Sequence, residues 1–225
     1  MSINLDRYDC KYFVGLHFKA NLVILILSGL MIFSLDYSLI KLGFIAFLIL
    51  SLFLVFIMFY RVKNSNNIIR YARHRILSML IVSFHFMIIS LCFSMVLGFI
   101  FFEVYFAMAL VSCAVILFLH YKSDKHRYDA ILNDCFSSEE SITLFEFFLA
   151  IGEYKSKKNS SSIILAIFFS QFALVFVVSR NFFLYFDYKL HVAAGIFFFL
   201  SCYYLNDIRL YVLSPYHFLL KKEKE

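Results

Sequence analysis

From Ile76 to Leu119 the chain runs for 44 residues with one formal charge, Glu103, and Arg75 and His120 close its ends. A helix rises about 1.5 Å per residue, so a single helix over this stretch would be about twice as long as a ~30 Å hydrocarbon core is thick. The stretch must fold back on itself in a bilayer. A charge is costly in hydrocarbon, which puts the expected turn at Glu103. Two membrane spans with both ends on one side follow.

The rest of the chain reads the same way. Hydrophobic residues make up 63%, charged residues 16%, and Phe alone contributes 31 positions. Soluble domains carry roughly 25% charge, so a membrane protein is expected. Spans are expected at about 18–35, 42–60, 76–97, 104–121, 162–179 and 192–205, the last reaching 213 if Asp207 and Arg209 snorkel. Too little chain is left over for a sizeable aqueous domain, so residues 1–225 form a single membrane domain. The expected fold class is an all-α integral membrane protein with six transmembrane helices in three hairpins. The first apolar run lacks a basic leader and a small-residue cleavage site, so it is expected to stay in the membrane.

Charge sets the orientation. Lys and Arg number three in 1–19, five in 61–75, six in 122–161 and four in the tail, 18 in all, against only Lys41, Arg180 and Lys189 on the other side. This bias places both termini in the cytoplasm. The net charge of +6 sits in the flanks of apolar segments, which fits topology signals and contact with the lipid bilayer rather than nucleic acid. Cys10 and Cys135 fall on the cytoplasmic side while Cys92, Cys113 and Cys202 fall within spans, so no disulfide framework is expected. The abundance of Phe, Ile, Tyr and Lys suits a bacterial inner membrane.

Residues 122–161 form the one long polar insert. Ser137 and Glu140 make a capping box, after which Ile142, Phe145, Phe148 and Leu149 share one helical face. Glu139, Glu146 and Glu153 fall on the opposite face. An amphipathic cytoplasmic helix is expected over about 138–154. Its acidic face argues against lying on anionic lipid and for packing on the bundle or a partner. Arg70 and Arg73, in the basic 61–75 segment, complete the expected cytoplasmic interaction surface.

Within the spans, His85 and Gln171 sit near the expected midplane and need partners there. An interhelical hydrogen bond is the plain reading, and a ligand or proton path is the sharper one. Small residues recur at four-residue spacing. Ser90, Ser94 and Gly98 do so in the third span, and Ala166 and Ser170 in the fifth, which predicts close helix approach. The spans carry few helix breakers, whereas transporters commonly build their sites from interrupted helices.

Paired haem histidines, zinc motifs, P-loops and nucleophile elbows are absent, so no cofactor or metal is expected. The function expected is non-enzymatic interaction with a membrane or cytoplasmic protein, or with further copies of the chain, as in an assembly, immunity, exclusion or defence-system subunit. A small oligomeric channel or transporter is the alternative. A lipid-modifying enzyme using His74, His120, Asp124 and His126 at the interface is a lesser one.

Overall fold

The computed structural model describes residues 2–4, 7–36, 38–63, 65, 67–119, 141–143 and 188–208. Five helices make up nearly all of it: α1 Arg7–Phe33, α2 Ser38–Val62, α3 Ile68–Leu97, α4 Phe99–Leu119 and α5 Tyr188–Asp207. In hydrocarbon every backbone N–H and C=O must be satisfied within its own segment, and uninterrupted apolar runs do that only as helices. Four of them, over Lys11–Phe33, Leu39–Val62, Ile69–Leu97 and Phe99–Phe118, are long and apolar enough to cross a membrane. The chain is a helical integral membrane protein.

The helix ends have local causes. Between α1 and α2, where a tight turn over 36–41 is expected, the Lys41 ammonium donates to the Phe33 and Leu35 carbonyls at 2.9 and 3.0 Å. Those carbonyls belong to the end of α1 and have no intrahelical partner of their own. Asn67 caps α3, its Oδ1 accepting from the Ile69 and Arg70 amides at 2.9 and 3.1 Å.

The break between α3 and α4 falls at Gly98 and not at Glu103. Gly98 has φ 136° and ψ 156°, and its N–H closes onto the Ser94 and Met95 carbonyls. Only glycine adopts that conformation without strain. Glu103 lies one turn into α4 with its side chain exposed. Backbone freedom decides the turn here, and a single carboxylate reaches the outside from within the helix.

A second difference concerns the polar insert. Ser141–Thr143 is extended and pairs in parallel with Ser2–Asn4, where a helix over 138–154 is expected. Ile142 and Thr143 are β-branched, and pairing with Ile3 and Asn4 gives these backbones partners that an isolated helical turn would leave to water. The remainder of that expected helix, including Glu139, Glu146 and Glu153, lies outside the described residues.

α3 is the hub. It packs on α1, α2, α4 and α5, and its buried side chains run from Ile69 to Met95. α2 is the opposite case. It lies antiparallel to α1, with Phe18 against Phe59 and Gly29 against Leu48, and exposes Leu39, Leu42, Ile49, Leu50 and Phe53. Such a wall would be a liability in water and is the matching surface in lipid.

On the other side of α3, Ser83 meets Ser201 and Ser90 meets Ala194, so α5 runs antiparallel to α3. α4 and α5 run parallel to each other. Phe101 touches His191, Tyr105 touches Phe198, and Ser112 hydrogen-bonds Cys202. Met87 and Leu91 join Tyr105, Met108, Ala109, Ala194, Phe198 and Cys202 in one core cluster of these three helices.

Candidate functional site

Five of the buried polar side chains, Asn21, Ser28, His74, Ser78 and His85, lie in a seam between α1 and α3. The two helices run parallel in a constant register. Asn21 meets Ser78 and Ser28 meets His85, each pair separated by 57 residues. His17 and His74 share that offset, with ring centroids 5.9 Å apart. So do Val14 and Tyr71, which fall in one cluster.

The cause is a seven-residue repeat. On α3, Tyr71, Ser78, His85 and Cys92 are all buried, as are His74, Ile81, Ile88 and Met95 between them. On α1, Val14, Asn21 and Ser28 are buried in the same rhythm, and Leu35 continues it just past the helix end. This is the knobs-into-holes spacing of a coiled coil, in which polar groups at the seam fix register.

At the middle of the seam His85 is fully buried (0% exposed) and its Nδ1 lies 2.8 Å from Ser28 Oγ. The Ser28 hydroxyl also reaches the Leu25 carbonyl at 3.1 Å. A hydroxyl has one proton. When Ser28 gives it to Leu25, His85 Nδ1–H donates to Ser28, and Nε2 is left as a bare acceptor. Nε2 is buried without a hydrogen-bond partner, and the imidazole and Phe47 rings lie 5.3 Å apart from centroid to centroid.

Nearer the start of α1 the seam is richer. Asn21 Nδ2 donates to the His17 carbonyl at 2.7 Å and to Ser78 Oγ, and its Oδ1 is buried without a partner. Both ring nitrogens of His74 are likewise buried and unpartnered. Asn21, His74 and Ser78 line a cavity of about 10 Å³ closed by Phe18, Met58 and Leu77. That volume takes about one water, and the polar atoms facing it are the partners a water requires. Arg75 follows on α3, with Asp207 of α5 near enough to act on its guanidinium.

Removing the central contact has a defined expected effect. Ser28→Ala and His85→Leu each destabilise the purified protein in micelles, and the double variant costs less than their sum. The coupling, read from denaturing-detergent titrations, is about 0.6–1.7 kcal/mol. Strict additivity would mean that the Ser28–His85 contact contributes nothing.

The other expected site residues are distributed differently. Ser90 is buried and its hydroxyl donates to the Ala194 carbonyl at 2.8 Å, while Ser94 turns back to the Leu91 carbonyl at 2.8 Å. Gly98 belongs to the turn. Arg70 and Arg73 are exposed at the start of α3. Gln171, Ala166, Ser170, His120, Asp124 and His126 lie outside the described residues. His74 is buried beside His17.

Asn21, Ser28, Ser78, Ser83, Ser201 and His191 are structural positions that four-residue spacing does not reveal. Seven-residue spacing on α1 and α3 would have found the first four. Among the described residues no group of three or more His, Cys, Asp or Glu side chains could hold a metal ion. Cys92, Cys113 and Cys202 are free thiols. No protein-family model, curated protein or solved structure matches the chain.

Proposed function

We propose that this is a non-enzymatic, six-span inner-membrane protein in three hairpins, with both termini cytoplasmic, that works by protein–protein interaction through its cytoplasmic insert. The observation carrying this reading is the closure of the seam. His85 is fully buried against Ser28 of the neighbouring helix. Its nearest polar neighbours are spent in the same way, between helices. Chemistry-bearing surface is then left at the ends of the bundle.

Two further observations support the topology. Parallel pairing of Ser2–Asn4 with Ser141–Thr143 keeps the N-terminus and the insert on one side. α4 and α5 run parallel, so a chain leaving α4 at one face must return to the opposite face before α5 begins. The apolar stretch 162–179, outside the described residues, has the length for that crossing.

Affinity purification of the intact protein in mild detergent tests the interaction. The expected result is a stoichiometric protein partner that is lost when Glu139, Glu146 and Glu153 are all changed to Gln. Recovery of a bare monomer, or a partner indifferent to that change, contradicts it. The cavity at Asn21, His74 and Ser78 favours the second reading, a small channel or transporter subunit. Ion or proton flux in proteoliposomes that disappears in Asn21→Leu would establish that reading instead.

A further inference from the structure

Three polar side chains meet at the small cavity between α1, α2 and α3, and their hydrogen bonds do not close among themselves. Asn21, His74 and Ser78 are 1, 3 and 6% exposed. Asn21 Nδ2 donates to the His17 carbonyl at 2.7 Å and to Ser78 Oγ. A carbonyl can only accept, so the amide nitrogen is fixed on that side and Oδ1 is the atom left over. Ser78 Oγ is engaged as an acceptor, which frees its own proton to be given away. One turn before Ser78 on the same face of α3, both ring nitrogens of His74 are buried without a hydrogen bond.

Left over are an acceptor on Asn21, a proton on Ser78 and, on a neutral His74, one acceptor and one N–H. Orphaned groups of this kind are costly in an apolar interior. A water satisfies them together. It takes the Ser78 proton and gives its own two to Asn21 Oδ1 and the bare His74 nitrogen, about the three bonds an internal water usually makes. We propose that this cavity is a binding site for one water, and that this water ties His74 to Asn21 and so joins α3 to α1.

Size and surroundings set the occupant. A volume of about 10 Å³ admits one water and no larger ligand. Toward Ser28 and His85 the site is bounded by Leu25, Val55 and Ile81, an apolar cluster that fills the intervening turn. A second water there would find no polar partner. The site depends neither on a partner of the insert nor on flux, and it stands whichever reading of function holds.

Solid-state NMR of the full chain in lipid bilayers, with isotope-labelled histidine, tests this. The His74 ring nitrogens are the resonances missing from His74→Phe. In wild type they are expected to receive magnetisation from water protons. Asn21→Leu keeps His74 but removes one of the water's partners, and the transfer is expected to be lost. The wild-type result depends on no variant, and a His74 that receives nothing has a dry cavity and overturns the site. Transfer that persists unchanged in Asn21→Leu overturns it too, because the water is then held by other groups. Asn21→Leu and His74→Phe should also be coupled by about threefold or more in the unfolding equilibrium, although no hydrogen bond joins the two side chains directly. Additive effects would mean that no water ties them.

Discussion

Ala194→Leu is expected to loosen the bundle more than any other single change at the α3–α5 contact. Ala194 is fully buried (0% exposed), and its carbonyl accepts the Ser90 hydroxyl at 2.8 Å. That distance requires the two backbones to lie close, which small side chains permit. A leucine there must push α5 outward, stretching the Ser90 bond and disturbing Phe198 and Cys202 in the same cluster. Overpacking of this kind costs about 1–3 kcal/mol. A shift of the denaturing-detergent midpoint toward lower concentration reads it. Ile196→Leu, on the exposed face of α5, serves as the control and is expected to change little. If the two variants behave alike, α5 does not sit on α3 as described.

A second large effect is expected at the α3–α4 turn. With φ 136° and ψ 156°, Gly98 occupies a backbone region that is closed to residues with a side chain. A Cβ at this position would meet Phe101 Cδ2 at 3.8 Å, an ordinary contact, so space is not the difficulty. Gly98→Ala should therefore lower stability by about 1–3 kcal/mol through backbone strain alone. Gly43→Ala provides the contrast. Its added Cβ meets nothing within 4 Å inside α2, and alanine is the better helix former by about 1 kcal/mol. It should be neutral or stabilising, and equal losses at both glycines would refute the strain account.

Those two positions show where the sequence speaks and where it does not. Apolar length announces the helices, because hydrocarbon allows an uninterrupted apolar run few other conformations. The stretch from Ile76 to Leu119 accordingly folds as two helices with one break. The location of that break was not legible from charge. A carboxylate one turn from a helix end reaches water without unwinding the backbone, whereas the conformation at Gly98 requires glycine. Charge and backbone freedom both point to turns, and here the second prevails.

The site shows the same division. A buried polar residue in a span signals that a partner exists, and His85 does contact one, Ser28. The identity of that partner depends on which helices run side by side, which a single span does not encode. Asn21 and Ser28 repeat with a period of seven, as Ser78 and His85 do, and the two patterns share an offset of 57 residues. Each pattern is short and mixed with apolar residues, so neither stands out until the helices are laid together. The small residues behave similarly. Ser83 and Ser90, seven apart, carry the contact with α5, while four-residue spacing draws attention to Ser94, which bonds within its own helix.

The proposed topology has six crossings with the insert and both termini on one side. Labelling of single cysteines by a membrane-impermeant maleimide tests this directly, in a background from which the five native cysteines have been removed. Ser34→Cys and Asn181→Cys are expected to react in intact cells. Ser65→Cys and Ser138→Cys should react only once the membrane is opened. If Asn181→Cys and Ser138→Cys label from the same side, the chain does not cross between them, and the six-span account is wrong.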